Sequence, residues 1–265
     1  MNVLVTGGAG YVGSHAARIL EQNGHTTVIY DNLFRGHRAA TRGRPFVEGD
    51  LLDTARIESV LREHRIDAVM HFAALAYVGE SVHEPATYYR NNIGGSLSLF
   101  EAMRNSGIGR IVFSSTCATY GIPEVVPITE AEKQDPINPY GFTKLAVERA
   151  LADYSSAYGW GYAALRYFNA SGAAEDGSLG EDHEPESHLI PLVLEVALGQ
   201  RPDIQIFGDD YDTPDGTCIR DYVHVDDLGR AHVSALERLA PGVEYKLNLG
   251  TGVGASVREV IEACR

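Results

Sequence analysis

Short apolar segments of strand length alternate along much of the chain with longer segments in which apolar residues recur every three or four positions. This alternation predicts parallel strands joined by helices, because the apolar runs are too continuous for strands with one face in water. The predicted strands are Val3 to Val5, Thr26 to Tyr30, Ala68 to Phe72, Arg110 to Phe113 and Tyr162 to Tyr167. The predicted helices are Tyr11 to Gln22, Thr54 to His64, Ala86 to Asn105 and Tyr140 to Tyr158. The order indicates an α/β fold with a doubly wound parallel sheet.

The composition changes after about Asn169. Residues 175–187 hold six carboxylates and no Lys or Arg, and residues 208–216 form a second acidic stretch with glycine and proline. Such stretches indicate loops. The elements predicted around them are a helix from Leu189 to Leu198, strands at Asp221 to Val225 and Tyr245 to Leu249, and a helix from Val257 to Cys264. We expect a smaller, partly interleaved C-terminal domain over 171–265, with some segments packing back on a larger domain over 1–170.

Charge and cysteine content narrow the classes of partner. The chain of 265 residues has 36 acidic and 22 basic side chains, a net charge of −14, which argues against binding to nucleic acid or to an anionic membrane. Cys117, Cys218 and Cys264 are widely spaced, so neither a disulfide framework nor a zinc ribbon is expected. The N-terminal segment has no targeting pattern. We therefore expect a cytoplasmic protein with small-molecule ligands.

A glycine-rich segment directly after the first predicted strand is the strongest local signal. Gly7, Gly8, Gly10 and Gly13 match both Gly-x-Gly-x-x-Gly and Gly-x-x-Gly-x-x-Gly. The missing Cβ atoms let the backbone approach a pyrophosphate, and the N-terminus of the following helix offers it free N–H groups. The sequence therefore predicts a Rossmann dinucleotide-binding domain.

An aspartate followed by an asparagine at the end of the second predicted strand indicates which dinucleotide binds. The Asp31 carboxylate can accept hydrogen bonds from the ribose hydroxyls and would repel a 2′-phosphate, so Asp31 and Asn32 favour NAD over NADP. Asp50 and Leu51 are expected to face the adenine. A role at the start of a helix is the alternative for Asp50 or Asp53.

Tyr140 and Lys144 form the predicted catalytic centre. With Asn138 as N-cap and Pro139 as the first helical residue, both side chains lie on one helix face. A phenol that works as a base near neutrality needs its pKa lowered by about 3. A nearby ammonium and an oxidised nicotinamide would each favour the phenolate. Thr116 follows a strand terminus and offers a hydroxyl to a reacting oxygen.

A series of short motifs runs along the chain. They are Thr6 to Gly13, Asp31-Asn32, His71 to Ala74, Tyr89 to Asn92, Ser114 to Thr116, Tyr140-x-x-x-Lys144, Arg166 to Asn169, His188 to Pro191, and Arg220 to Val225 followed by Asp227-Leu228. These motifs occur in the order found in extended short-chain dehydrogenases. Among these enzymes, the chain resembles the UDP-glucose 4-epimerase family over essentially its whole length.

The resemblance implies NAD-dependent epimerisation at C4 of a UDP-hexose through a 4-keto sugar, with NAD staying bound between turnovers. In that mechanism Tyr140 takes the proton of the 4-hydroxyl and Thr116 hydrogen-bonds the reacting oxygen. Lys144 binds the nicotinamide ribose and lowers the pKa of Tyr140. Relatives dimerise through helices that match Ala86 to Asn105 and Tyr140 to Tyr158, so a homodimer is expected.

The resemblance also completes the predicted site. Cofactor contacts are expected from Gly7, Gly10, Tyr11, Val12, Gly13, Asp31, Asn32, Asp50, Leu51, Phe72, Ala73, Ala74, Asn91, Ser114, Tyr140, Lys144 and Tyr167. Substrate contacts are expected from Thr116, Tyr140, Asn169, His188, Leu189, Phe207 and Arg220. Of these, Arg220 is the expected clamp for the diphosphate.

The same scaffold also supports activities other than epimerisation. Dehydratases and decarboxylases place acidic residues directly after the catalytic threonine, where this chain has Cys117 and Ala118, so these lyase activities are not expected. A non-catalytic dinucleotide-binding regulator would lack part of the Thr116, Tyr140 and Lys144 set. Within the epimerases, the alternatives are UDP-xylose/UDP-arabinose and UDP-N-acetylhexosamine 4-epimerases.

Three local features concern metal, cofactor and substrate binding. His183 and His188 are five residues apart with Pro185 between them, so they would not share a helix face and no metal site is expected. Ala76 stands where many relatives have a lysine, which leaves one cofactor contact absent or supplied differently. Relatives also continue for several tens of residues beyond Arg265, and from this we expect weakened UDP-sugar binding by the chain as given.

Overall fold

Ten strands are present in the computed structural model, which describes residues 1–265. They are β1 (Asn2–Thr6), β2 (Thr26–Asp31), β3 (Phe46–Glu48), β4 (Ala68–His71), β5 (Arg110–Thr116), β6 (Gly161–Tyr167), β7 (Asn169–Ser171), β8 (Ile219–His224), β9 (Glu244–Leu249) and β10 (Gly254–Ser256). Seven of them form one parallel sheet in the order β3-β2-β1-β4-β5-β6-β9. The chain order reverses between β1 and β4, and doubly wound sheets bind ligands at the carboxyl ends of strands beside such a point.

Nine α-helices connect and cover the strands. They are α1 (Tyr11–Gln22), α2 (Thr54–Glu63), α3 (Val78–His83), α4 (Pro85–Tyr88), α5 (Gly95–Asn105), α6 (Pro139–Tyr158), α7 (Leu189–Ala197), α8 (Val225–Arg238) and α9 (Val257–Ala263). None of the helices is both long enough and apolar enough to cross a lipid bilayer.

The central sheet is buried on both faces, which explains the continuous apolar runs of its strands. In β1, Val3 and Val5 point to the face covered by α1 and α8, whereas Leu4 points to the face covered by α2, α5 and α6. Successive residues of a strand point to opposite faces, so both sets must be apolar when both faces are covered. The predicted fold class, a doubly wound parallel sheet with a smaller second part, is confirmed.

The stretch predicted as one helix from Ala86 to Asn105 is helical throughout, but its middle, Tyr89–Gly94, is a π-helical turn between α4 and α5. Within this turn the buried Asn92 side chain accepts from the backbone N–H of Leu75 at 2.8 Å and donates to the carbonyl of Leu75 at 3.0 Å. These bonds tie the turn to the chain that follows β4. Single π turns are frequently found at functional sites, and Asn91 of this turn reaches the cleft described below.

The C-terminal part of the chain contributes strands to both sheets. Strands β7, β8 and β10 form a separate three-stranded sheet, while β9 pairs with β6 of the central sheet. Helix α8 packs on α1, where Asp226 binds both His15 at 2.7 Å and Arg18 at 2.6 Å. The partition at residues 170/171 therefore stays a prediction.

The predicted strand from Asp221 to Val225 ends one residue early. The Nδ1 atom of His224 accepts from the backbone N–H of Asp226 and caps α8, which starts at Val225.

A buried ion pair lies behind the end of β5. Arg166 of β6 donates to Glu148 of α6 through Nε and through Nη2, the latter at 2.6 Å, and both side chains are almost fully buried. Arg166 also donates to the hydroxyl of Tyr120 at 2.7 Å, and Glu148 accepts from the hydroxyl of Ser115. The pair thus joins β5, β6 and α6 through charge-assisted hydrogen bonds.

We predict that Glu148→Gln and Arg166→Met each lower the free energy of unfolding by about 3–5 kcal/mol, because each leaves one buried charge without its partner. The double variant should lose much less than the sum of the two. Urea denaturation of all four proteins measures the coupling. Additive losses would contradict this account of the pair.

Candidate active site

Thr116 and Tyr140 meet at the carboxyl end of β5 because two backbone segments approach closely there. The side chain of Asn138 accepts from the N–H of Gly141 at 2.8 Å, and α6 begins at Pro139, as predicted. A Cβ atom on Gly141 would lie 2.5 Å from the carbonyl oxygen of Ala118, in the turn that follows Thr116. Glycine at 141 is therefore required for the start of α6 to pack against the end of β5.

Lys144 lies one turn further along α6, behind the wall of the site. Its Nζ donates to the carbonyl oxygen of Ser114 at 2.8 Å and lies 5.9 Å from the centre of the Tyr140 ring. An ammonium has three donors, so two remain after the bond to Ser114. The ammonium is thus close to the phenol and is held in place by the backbone of β5.

Burial controls the electrostatics of this pair. Burial raises the pKa of Tyr140 well above its ordinary value, with a smaller rise from Tyr167 and an opposing effect of the Thr116 hydroxyl. Burial also lowers the pKa of Lys144 to about 7, while the Glu148 carboxylate opposes that change. Removing both groups from water favours their neutral forms. The expected lowering of the Tyr140 pKa by Lys144 together with an oxidised nicotinamide stays a prediction.

The glycine-rich loop between β1 and α1 passes very close to the chain after β4. A Cβ atom on Gly7, where φ is +72°, would lie 2.4 Å from the backbone nitrogen of Ala73, and one on Gly13 would lie 2.3 Å from the carbonyl oxygen of Gly7. Glycine at these two positions is needed for the loop to fold.

At position 10, by contrast, neither the backbone conformation nor the packing of the protein requires glycine. Its φ of −87° and ψ of 175° suit any residue, and a Cβ atom there would meet only the carbonyl oxygen of Gly7, at 3.3 Å. Gly10 is the N-cap of α1 and provides no side-chain capping bond, so the first N–H groups of α1 remain available to a ligand. The space kept free at Gly10 matches the approach of a pyrophosphate, so these residues fit a dinucleotide.

Asp31 lies at the end of β2 with its carboxylate fixed by the backbone. Its oxygens accept from the N–H of Ala9 at 3.0 Å and from the N–H of Leu33 at 2.8 Å. Each carboxylate oxygen has further acceptor capacity, so ribose hydroxyls can still bind. Burial raises the pKa of Asp31, and the two backbone bonds oppose that rise.

One cleft of about 1360 Å³ runs from the glycine-rich loop past Tyr140 to the small sheet. It brings together most of the predicted site residues. From the cofactor set they are Gly7, Gly10, Tyr11, Val12, Gly13, Asp31, Asn32, Leu51, Phe72, Ala73, Ala74, Asn91, Tyr140 and Tyr167, and from the substrate set Thr116, Tyr140, Asn169, His188 and Arg220.

Two of the predicted residues outside the cleft lining lie directly behind it. They are Lys144, described above, and Ser114, whose hydroxyl is 2.7 Å from the hydroxyl of Tyr167. Leu189, the first residue of α7, does not line the cleft, and Phe207 is 84% exposed on the outer surface.

The acidic residues before α2 have separate structural roles. Asp50 lies at the rim of the cleft, where it accepts from the amide of Asn32 at 3.2 Å and from the N–H of Leu52 at 2.8 Å. Asp53 caps α2 by accepting from the N–H of Arg56 at 2.9 Å. The role at the start of a helix, left open between the two residues, therefore belongs to Asp53.

A group of residues around Arg35, which was not predicted from the sequence, closes the cleft from above. Arg35 donates to the carbonyl oxygen of Glu184 and to the carboxylate of Glu80, each at 2.9 Å. Its guanidinium also stacks on Tyr77, with 4.9 Å between the carbon Cζ and the ring centre. These contacts join segments far apart in sequence, and no local pattern marks them.

We predict that Gly10→Ala folds with a change in the free energy of unfolding below about 1 kcal/mol and loses at least about tenfold in NAD affinity. The added methyl group occupies the ligand side of the loop. Gly180→Ala is the matched control, since Gly180 has ordinary φ, open space and no place in the cleft lining. Isothermal titration with NAD and urea denaturation check both parts, and unchanged NAD affinity in Gly10→Ala would contradict the assignment.

The lowered pKa of Lys144 predicts a pH-dependent stability. Between its folded pKa of about 7 and its ordinary value of 10.5, the unfolded chain binds the proton that the folded chain has released, so stability rises with pH. Relative to Lys144→Met, the wild type should gain up to about 1.4 kcal/mol per pH unit from about pH 7 to 9. Denaturation at several pH values measures this, and a pH-independent difference would refute it.

The comparisons with known proteins agree with this geometry. Residues 3–250 match the NAD dependent epimerase/dehydratase family. A UDP-glucose 4-epimerase of Rhizobium leguminosarum bv. trifolii is 52% identical over 98% of this chain and 80% of its own length. The crystal structure of the UDP-glucose 4-epimerase from Brucella ovis in complex with NAD is 56% identical, with a TM-score of 0.95 over 99% of this chain and 81% of that chain. The enzyme from Bifidobacterium longum in complex with NAD+ and UDP is 41% identical, also with a TM-score of 0.95, over 99% of this chain and 82% of that chain. The chain belongs to the NAD dependent epimerase/dehydratase family and, within it, to the UDP-glucose 4-epimerases.

Proposed function

We propose that this chain interconverts the C4 epimers of a UDP-hexose, UDP-glucose and UDP-galactose, with NAD as a resident cofactor. The observation that carries the proposal is the single cleft that joins the glycine-rich loop, the Tyr140 and Thr116 wall and Arg220. A hexose placed at Tyr140 then has a dinucleotide site on one side and a cationic side chain on the other. The similar structures that contain NAD, or NAD+ and UDP, support this arrangement.

The glycine-rich loop and Asp31 would hold NAD, and NAD supplies the acceptor and donor for the hydrogen at C4. Tyr140 takes the proton from the 4-hydroxyl group and later returns it. Thr116 stands beside Tyr140 and donates a hydrogen bond to the reacting oxygen. Lys144 reaches the nicotinamide ribose with the donors that the Ser114 carbonyl leaves free.

The protonation state of Tyr140 depends on positive charge near the ring. Burial raises its pKa, so the phenol keeps its proton unless a cation stabilises the phenolate. Lys144 provides such a charge only in its protonated form, which Glu148 favours. An oxidised nicotinamide would add a second positive charge, and an opposite charge within a few ångströms lowers the pKa of an acid.

Arg220 is available for the diphosphate. Its Nη1 donates to the carbonyl oxygen of Ile219 at 2.9 Å, and its guanidinium takes part in no salt bridge. The neighbouring Asp221 binds the N–H groups of Thr251 and Gly252 and leaves Arg220 uncompensated. A free guanidinium on the wall of the cleft suits a diphosphate, which it can bind through two parallel hydrogen bonds.

The residues after Thr116 favour epimerisation over the dehydration that the family also includes. Elimination needs an acid beside the reacting sugar, and Cys117 occupies that place. Burial raises the pKa of the Cys117 thiol to about 11, so it neither ionises nor replaces a carboxylic acid near neutrality. The presence of Thr116, Tyr140 and Lys144 around one cleft favours an enzyme over a non-catalytic dinucleotide-binding regulator.

The homodimer expected from the sequence also belongs to this proposal. Tyr89 and Phe142 contact each other between the π turn and α6, with ring centres 5.9 Å apart, and both are at least 40% exposed. Leu97 and Tyr158 add exposed apolar area on α5 and α6. A patch of this kind is typical of a protein interface, and a second copy of the chain is the proposed partner.

We further propose that the protein works in the cytoplasm. Cys117, Cys218 and Cys264 are all free thiols, as is usual in a reducing compartment.

The test is an initial-rate assay with UDP-glucose, UDP-N-acetylglucosamine and UDP-xylose, with the NAD content of the protein measured alongside. We expect UDP-glucose to give UDP-galactose at a higher kcat/KM than the other two sugars give their epimers. Faster turnover of UDP-N-acetylglucosamine or UDP-xylose would show that the substrate is that sugar nucleotide and not UDP-glucose. No turnover of any of the three by NAD-loaded protein would overturn the proposed function.

We predict that Tyr140→Phe loses about 10²–10⁴-fold in kcat, the usual contribution of a general acid or base, and retains its NAD. Tyr89→Phe is the matched control, because Tyr89 loses the same hydroxyl outside the cleft lining. A Tyr140→Phe enzyme within tenfold of the wild type would show that another group moves the proton.

A further inference from the structure

Two histidines and two glutamates converge in the loop before α7. Residues 181–188 do not form a helix, so His183 and His188 share no helix face, as expected, but the loop still brings the two rings together. Their ring centres are 5.0 Å apart, and one ligand atom from each of Glu181, His183, Glu186 and His188 lies within 4.8 Å of all the others.

The distances match the edges of a coordination polyhedron. His188 Nδ1 is 2.9 Å from Glu181 Oε1 and 2.9 Å from Glu186 Oε1. His183 Nδ1 is 3.4 Å from Glu181 Oε1 and 3.6 Å from Glu186 Oε2. Ligands about 2.0–2.1 Å from a tetrahedral metal ion are themselves about 3.4 Å apart.

The hydrogen bonds of the protein leave this cluster incompletely satisfied. His183 Nδ1 is buried and has no hydrogen-bond partner, although it points at two carboxylates whose side chains are only 9% and 10% exposed. His188 Nδ1 carries at most one proton, yet it faces a carboxylate oxygen of each glutamate. Glu186 Oε1 already accepts from the N–H groups of Ser187 at 2.7 Å and His188 at 2.8 Å. A cation bound among the four side chains would give His183 Nδ1 the partner that it lacks.

No arginine or lysine enters the cluster, in which His188 faces both carboxylates. Arg35 directs its guanidinium to Glu80 and to the backbone carbonyl of Glu184, and His37 contacts Asp182. The ring neighbours of the cluster are Tyr11 and Tyr77, whose rings meet His183 edge-on. Burial raises the pKa of both phenols, so neither adds a charge near neutrality.

We propose that Glu181, His183, Glu186 and His188 bind one divalent transition-metal ion of the Zn²⁺ type. Imidazole nitrogens with carboxylate oxygens are a donor set that Zn²⁺, and Co²⁺ in its place, accept in four-coordinate geometry. Mg²⁺ prefers six oxygen ligands and binds poorly to such a set. Glu181, His183 and His188 line the same cleft as Thr116 and Tyr140, but the metal site uses other side chains and does not rest on the proposed epimerase activity.

The metal would fix the loop that covers the cleft. The Tyr11 hydroxyl donates to the carbonyl oxygen of Gly172 at 2.6 Å, and the Tyr77 hydroxyl donates to the carbonyl oxygen of Pro185 at 3.3 Å. Single hydrogen bonds of this kind contribute little each. A metal ion joining four side chains of residues 181–188 would hold this part of the loop in one conformation beside Tyr11, at the start of the dinucleotide-binding helix.

The experiment uses the full chain, freed of metal with a chelator and then titrated with Co²⁺ alone. We expect one Co²⁺ per chain, the visible absorption bands of four-coordinate cobalt, loss of those bands when Zn²⁺ is added, and no effect of Mg²⁺. Zn²⁺ should also raise the midpoint of thermal unfolding. No saturable Co²⁺ binding, or a six-coordinate spectrum that Zn²⁺ does not remove, would overturn the proposal.

Variants decide whether these four residues are the ligands. His183→Ala and Glu186→Gln should each weaken Co²⁺ binding at least about tenfold, whereas Glu184→Gln, which changes an exposed carboxylate of the same loop outside the cluster, should bind as the wild type does. Circular dichroism establishes that each variant is folded. Wild-type affinity in a folded His183→Ala protein, or equal loss in Glu184→Gln, would place the metal elsewhere. The Co²⁺ spectrum of the wild type decides the coordination even if one variant fails to fold.

Discussion

The removal of Tyr140 and Lys144 from water is the constraint on which the rest of the site depends. The same burial that raises the pKa of the phenol lowers that of the ammonium, so both groups tend toward their neutral forms. Glu148 works against this for Lys144 because it lies one helical turn further along α6. The phenol has no comparable cationic partner in hydrogen-bond contact. Its ionisation therefore depends on charge that arrives in the cleft, which couples proton transfer to a filled dinucleotide site.

Two close contacts between backbone segments hold the residues of the site together. Gly141 lets α6 begin against the turn after β5, and Gly7 lets the glycine-rich loop pass the chain after β4. Both approaches lie at the carboxyl ends of neighbouring strands of the central sheet. Thr116, Tyr140 and the dinucleotide-binding loop thus share one edge of a sheet that is rigid because both of its faces are packed. A side chain at either glycine would separate the two halves of the site.

Local sequence patterns were sufficient for most strands of the central sheet and several helices, but not for α8, which was not predicted. They were also insufficient for contacts between distant segments. Helix α1 and the N-cap at Asn138 follow from apolar spacing and capping residues, which act over a few positions. The π turn between α4 and α5 was not visible, because Asn92 receives its partners from Leu75 across the fold. The effect of burial on the pKa of Tyr140 was not visible for a related reason: a charge nearby in sequence can be named from a motif, whereas burial is a property of the whole packed structure. The convergence of His183 with His188 is another case, since loops carry no periodicity from which a shared direction could be read.

The most direct test of this account is a spectroscopic titration of Tyr140 with each redox state of the cofactor bound. The difference between the wild type and Tyr140→Phe isolates one phenol among the 14 tyrosines, with NAD+ and with NADH in turn. The two cofactor forms have nearly the same shape and differ in the positive charge of the nicotinamide ring. We expect a lower pKa of Tyr140 with NAD+ than with NADH. Equal values in the two complexes would contradict the claim that charge delivered to the cleft overcomes the burial of the phenol.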